Sequence, residues 1–320
     1  MWSRFAQWAS EALQRLPRAE RNRPLGENIS AQENSASSTA LPELVFYKGR
    51  HGIFAHFASD ECIGRSLQLY GEWGEDELAL LRDYIRPGST VLDVGANVGT
   101  HTLPLANMVG EGGTVIAIEA QPEVYELLCH NIIANGLRHR IRPIQMLAGD
   151  RVAAVPYFGQ VLPQNLGARS FVREYSSQAH TGTLTLPMAP IDTLPIQNCS
   201  LMKVDVEAME HVVLRGAVGL LKAQRPTVYF EHASGDADAL AAIHGLLTGL
   251  GYRLYWHFAK PFQANNFNGY QDDIFGGAVE INVLACADMR VPPGLAEITD
   301  PFVPPPLPAR DAAPASGPAG

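Results

Sequence analysis

The sequence predicts an α/β protein built on a seven-stranded, mostly parallel sheet with helices on both faces. Two observations carry this prediction. Short runs rich in Val, Ile and Leu alternate with segments of helical periodicity across residues 90–286, the pattern of a buried parallel sheet with crossover helices. The first run also leads through a glycine-bearing turn, Asp93-Val94-Gly95-Ala96-Asn97-Val98-Gly99, into a helix, where open α/β sheets bind ligands. The strand candidates are 90–94, 114–119, 141–147, 201–206, 227–231, 252–257 and 279–286, and the helix candidates are 99–109, 122–135, 210–221 and 237–250. A stretch at 152–187, rich in Gly, Ser, Thr and Gln, has no helical period and is expected to form a hairpin and loop beside the site.

With 320 residues, the chain has room for one well-buried core with loosely attached ends. Residues 1–43 read as an amphipathic helix and linker: Trp2, Phe5, Ala9, Leu13 and Leu16 gather near one side, and Arg18, Arg21 and Arg23 follow. Residues 1–23 are expected either to touch a membrane surface weakly or to form a short helix packed on the domain. Residues 44–88 are a lead-in of strands and helix, 89–290 the main domain, and 291–320 a disordered tail in which nine of 30 residues are Pro.

The formal net charge of -9 and the scattered Lys and Arg argue against a nucleic-acid partner, because phosphate binding needs clustered cations. Cys62, Cys129, Cys199 and Cys286 lie far apart, so neither a metal knuckle nor a disulfide framework is expected, and a cytoplasmic location fits best. No run approaches the roughly 18 apolar residues of a membrane helix.

The glycine turn is where a nucleotide cofactor would sit. Gly95 and Gly99 allow close backbone approach, the helix N-terminus favours an anionic group, Asp93 precedes the turn and His101 starts the helix. Asn97 stands where the dinucleotide fingerprint would have its second glycine, which counts against a nicotinamide enzyme. Glu119 ends the second run, and a carboxylate there can accept both ribose hydroxyls. Asp150 follows the third run, where it could receive the adenine amino group. Each acid alone has an ordinary reading as a turn brace or helix cap. Three at successive strand ends point to one site.

The fourth strand reads Leu201-Met202-Lys203-Val204-Asp205-Val206-Glu207, and charges on a central strand are costly unless paired or placed at the open edge where ligands bind. Asp205 and Glu207 are therefore candidate catalytic acids, with Glu231 and His232 after the next strand as alternatives. The same four residues could also hold a divalent metal, but their spacing matches no standard metal motif, so none is expected. Glu72 and Trp73 of a possible lid segment, and Asn265 and Asn266 of an amide- and aromatic-rich loop, are candidate substrate contacts.

These segments resemble the FkbM family of S-adenosylmethionine-dependent methyltransferases. The resemblance covers roughly residues 69–288 and rests on Thr90 to Thr100 with its Gly95-Ala96-Asn97-Val98-Gly99 turn, on Ile118-Glu119-Ala120-Gln121-Pro122 with Asn131 and Asn135-Gly136-Leu137, on Ile191-Asp192-Thr193-Leu194, and on Met202 to Glu210 with Val213-Leu214-Arg215-Gly216-Ala217. It implies a class I methyltransferase fold, S-adenosyl-L-methionine as cofactor, and O-methylation of a hydroxyl on a small molecule, natural product or saccharide. Ala208 departs from the family, which usually has glycine there. A catalytically inactive scaffold and a nicotinamide-dependent oxidoreductase are the alternatives. The first would be expected to have lost some of these acids, and the second to have a different turn. The oligomeric state is not readable.

Overall fold

Valine, isoleucine and leucine form the middle of the central sheet because strands buried on both faces have no polar side to show. The computed structural model describes residues 43–157, 184–232, 237–288 and 291–303. A hairpin of β1 (Leu44–Gly49) and β2 (Gly52–Phe57) is followed by helices α1 (Ile63–Leu69) and α2 (Glu75–Leu81). Then come β3 (Thr90–Val94), α3 (Thr102–Val109), β4 (Thr114–Glu119), α4 (Pro122–Ala134) and β5 (Ile141–Gln145). Short strands β6 (Leu147–Ala148), β7 (Ala153–Tyr157) and β8 (Leu184–Ala189) precede β9 (Cys199–Val204), α5 (Glu210–Arg215), α6 (Val218–Gln224) and β10 (Thr227–Glu231). Helix α7 (Ala237–Gly249), β11 (Arg253–Ala259), β12 (Glu280–Cys286) and β13 (Ala296–Glu297) complete the described elements.

The main sheet has eight strands in the order β13, β11, β12, β10, β9, β3, β4, β5. The five from β10 to β5 run parallel, whereas β12 is antiparallel to both β10 and β11. All of β9 is buried. Successive residues feed opposite cores: Leu92, Ile116, Met202 and Phe230 pack in one cluster, and Val91, Val115, Leu201 and Tyr229 in the other, as the two-residue period of a strand requires.

The seven expected strands are all present, with three adjustments. The run at 141–147 divides, and Leu147–Ala148 joins a separate three-stranded sheet in the order β6, β8, β7. The helix expected at 210–221 breaks at Gly216, where a Cβ would lie 1.8 Å from the Gly149 carbonyl oxygen. The eighth strand comes from the segment expected to be a disordered tail: β13 pairs with β11, Arg253 pairs with Glu297, and Ile298 is buried. Prolines there limit regular structure, yet the β13 ladder, the Ile298 N–H bond to the Leu254 carbonyl, the buried Ile298 and the Arg253–Glu297 ion pair dock the described part of it. The amphipathic segment at 1–23, the linker, most of the 152–187 loop and residues 304–320 lie outside the described residues. Among the described residues no helix is long and apolar enough to cross a membrane.

The lead-in is fastened by two asparagines of α4. Asn131, fully buried, accepts from the Ala55 N–H at 2.7 Å and donates to the carbonyls of Ala55 and Val98 at 3.1 and 2.8 Å. Asn135 makes the same pair of bonds to Ile53, at 2.9 and 2.8 Å.

Candidate active site

Strand order reverses between β3 and β9: the chain moves outwards through β4 and β5 on one side and through β10 on the other. The carboxyl ends at such a switch point enclose a crevice, here a pocket of about 340 Å³. Its floor is the turn after β3. Gly95 has φ 80°, and a Cβ there would sit 1.7 Å from the Asp205 carbonyl oxygen, so the β9 tip can approach only over glycine. Asn97 takes φ 50°, a left-handed geometry asparagine tolerates, and its Oδ1 accepts from the Val98 N–H at 2.7 Å. Its own N–H donates to Glu119 Oε2 at 3.0 Å, while Gln121 N–H donates to Oε1 at 2.8 Å. Glu119 is thus held at the end of β4 with lone pairs left for a ligand. Burial pushes its carboxyl up to about 7, against the pull of these backbone donors.

Asp93 does not line the pocket; it lies fully buried beneath the turn. Thr102 Oγ1 donates to its Oδ2 at 2.6 Å, and Lys203 Nζ stands 3.7 Å from Oδ1. Lys203 in turn donates to Asp205 Oδ2 at 2.9 Å. One buried ammonium therefore ties the acids of neighbouring strands β3 and β9 together. Gly99, at φ 96°, is also outside the lining: a Cβ would press on Leu103 and Leu128 at 2.9 and 3.0 Å.

The far end of the pocket is acidic. Asp205, Glu207 and Glu231 each bring one carboxylate oxygen within 4.8 Å of the others. Beyond β9 the chain bends through two non-glycine residues with positive φ, Glu207 at 52° and Ala208 at 71°. Position 208 is where the resemblance noted above implies glycine, a residue that tolerates this left-handed backbone without strain. Burial followed by repulsion from Asp205 pushes Glu207 up to about 7 and Glu231 to about 9. Asp205 is also penalised by burial, but Lys203 beside it holds its carboxyl below the usual range.

Several expected site residues lie elsewhere. His101 faces Glu77, with Nε2 2.7 Å from its Oε2, rather than the pocket. Glu77 also accepts from Tyr229 at 3.1 Å, and Tyr229 meets His257 at 2.8 Å, so a buried polar chain runs behind the site. Asp150 is bonded to Arg215 at 2.8 Å and does not line the pocket. His232 packs its ring 5.8 Å from that of Trp256, outside the lining. Glu72 holds Arg50 and the Phe267 N–H, both at 2.7 Å. The Asn265 carbonyl accepts from Arg50 at 2.9 Å, and the Asn266 side chain closes its own loop through Gln263 and Tyr270. Of these four candidate substrate contacts, Trp73 alone reaches the pocket.

Residues missed in the sequence are Cys62, Glu77, Glu280 and Asn282, all lining the pocket. Burial pushes the Cys62 thiol up to about 12, which disfavours its reactive thiolate form. Glu280 and Asn282 begin β12, whose antiparallel direction brings its first residues to the edge where every parallel strand ends.

A parallel sheet with a reversed strand inserted before its edge, and a pocket at the switch point, defines the class I methyltransferase fold. Residues 93–254, half of the chain, match the Methyltransferase FkbM domain, and the protein belongs to that family of methyltransferases. It is 36% identical over 66 residues to a protein-L-isoaspartate O-methyltransferase of Methanothrix thermoacetophila, a match that covers 21% of this chain and 30% of that one. It is 25% identical over 136 residues to protein-L-isoaspartate O-methyltransferase 1 of Archaeoglobus fulgidus, covering 41% of this chain and 61% of the relative. The chain therefore spans less than two thirds of either relative. Among solved structures, methyltransferase FkbM from Methylobacillus flagellatus aligns at 16% identity and a TM-score of 0.41, covering 65% of this chain and 50% of that one.

Proposed function

We propose that this methyltransferase uses S-adenosyl-L-methionine and methylates a hydroxyl oxygen of a small molecule, natural product or saccharide. The observation that carries the reading is the polarity of the pocket. Glu119, its oxygens fixed by two backbone N–H groups, lies at one end, and Asp205, Glu207 and Glu231 cluster at the other.

The residues divide the work accordingly. Glu119 accepts the cofactor's ribose hydroxyls, and the turn at Gly95 and Asn97 lets backbone approach them closely. When bound, the cofactor would supply an electrophilic methyl on a sulfonium, whose sulfur leaves as a thioether when the acceptor oxygen attacks the methyl in line. Transfer then depends on alignment and on removal of one proton. Glu207, carried into the pocket by its left-handed bend, is positioned to take that proton. Asp205, bonded to Lys203, stays ionised and offers a fixed negative charge to the sulfonium. Trp73 walls the pocket in an edge contact with Phe275 at 5.7 Å. A cytoplasmic setting suits four cysteines none of which forms a disulfide.

Calorimetric titration with S-adenosylmethionine and S-adenosylhomocysteine, with NAD as control, tests the reading. Saturable binding of the sulfur nucleotides alone supports it, and the acceptor is then sought by screening hydroxylated compounds. Folded protein that binds neither nucleotide would overturn it in favour of a scaffold.

A further inference from the structure

The acidic end holds more carboxylate than methyl transfer uses. Besides the Asp205, Glu207 and Glu231 trio, Glu280 lines the same pocket, and the lining includes no lysine or arginine. Lys203, the cation behind it, is already bonded to Asp205. Crowded acids without a matching cation repel one another.

Asn282 provides an independent observation. It is only 3% exposed, it lines the pocket, and it stands directly opposite Glu231 in the β10 and β12 register. Opposed residues of a ladder project from the same face. Its Nδ2 has no hydrogen-bond partner, a loss of about 1–3 kcal/mol for a buried amide unless something in the pocket takes it.

We propose that Asp205, Glu207 and Glu231 bind a divalent, oxygen-seeking cation (Mg²⁺, Mn²⁺ or Ca²⁺), with the Asn282 amide bonded to the cation or to its water. Three oxygens no more than 4.8 Å apart leave a point within about 2.8 Å of all three, and a shift of a few tenths of an ångström brings them to the 2.3–2.6 Å of calcium, a larger one to the shorter bonds of magnesium. Turning the amide about its last bond presents either oxygen to the ion or N–H to a bound water. Taken with the proposed reading of this site, the cation would bind the acceptor's hydroxyl oxygen, favouring polyols and vicinal diols that chelate. In that step the O–CH3 bond forms, the S–CH3 bond breaks with its electron pair returning to sulfur, and the hydroxyl proton passes to the uncoordinated oxygen of Glu207.

The test is metal binding by the full chain after chelator treatment and desalting. Mn²⁺ is titrated by electron paramagnetic resonance of the free ion and by calorimetry. One site per chain is expected, competed by Mg²⁺ or Ca²⁺. Glu231→Gln and Asp205→Asn should each weaken Mn²⁺ at least tenfold, whereas Asp150→Asn, which alters an acid bonded to Arg215, should not. Circular dichroism checks that each variant folds, and Glu207→Gln replaces any that does not. Absence of a saturable site, or equal weakening by Asp150→Asn, overturns the proposal. S-adenosylhomocysteine is titrated separately in chelator. Nucleotide binding without Mn²⁺ binding sinks the cation site alone, and Mn²⁺ binding without nucleotide sinks the methyl-donor reading alone.

Discussion

In the proposed reading Glu119 binds the cofactor's ribose through a carboxyl that burial pushes up to about 7. A raised acid holds its proton more tightly in the folded than in the unfolded chain, so its contribution to stability is full below the ordinary value and is lost as pH rises through about 7. Cofactor binding runs the other way, because ribose hydroxyls donate to the ionised form. The affinity for S-adenosylhomocysteine should therefore fall as pH drops below about 7, approaching tenfold per pH unit, and Glu119→Gln should flatten that profile. A wild-type profile flat from pH 6 to 8 would remove Glu119 from the ribose site. Ala208 makes a different residue-scale case. Its φ of 71° costs an L-residue about 1 kcal/mol, so Ala208→Gly should raise the unfolding free energy by about that much, measured by urea unfolding. This cost is visible only in the backbone; in the sequence position 208 shows merely an alanine.

At the scale of elements, strands β3, β4 and β10 begin and end where their apolar runs do, since buried parallel strands must be continuously hydrophobic. Glu119, Asp205, Glu207 and Glu231 were legible as pocket-lining residues for the same reason: they are the first charges met at the open end of such runs. Glu280 and Asn282 were not, because their relevance depends on β12 running against its neighbours, and a strand's direction leaves no mark in local composition. Asp150 failed differently. Its strand breaks at Met146, and Arg215, 65 residues away, takes the carboxylate. The α4 asparagines likewise gain meaning only from a partner hairpin. Asn131→Ala would strand the N–H of Ala55 and the carbonyls of Ala55 and Val98 in the core, costing about 3 kcal/mol and loosening β1 and β2 first. Hydrogen exchange should show the Ala55 amide losing protection ahead of the central strands. Unchanged protection there would mean that the hairpin is held by its apolar contacts alone.

Across the whole molecule the formal charge of -9 and the pocket acids act in the same direction. Glu77 and Asp205, penalised by burial but held below the usual carboxylate range by His101 and Lys203, line one cavity with Glu119 and Glu207, and low-dielectric walls concentrate the field of the ionised ones. S-adenosylmethionine carries one net positive charge through its sulfonium, whereas S-adenosylhomocysteine is neutral overall, so the field should favour substrate over product. In chelator, raising ionic strength from 0.05 to 0.5 M shortens the screening length to roughly 4 Å and should weaken the methyl donor by roughly threefold more than the product. Adding a divalent cation that occupies the trio should shrink the same difference at low salt, since it neutralises the charge the sulfonium sees. If both nucleotides instead respond to salt equally in chelator, the acids hold their protons at neutral pH, and discrimination between donor and product must come from contact with the methyl group itself.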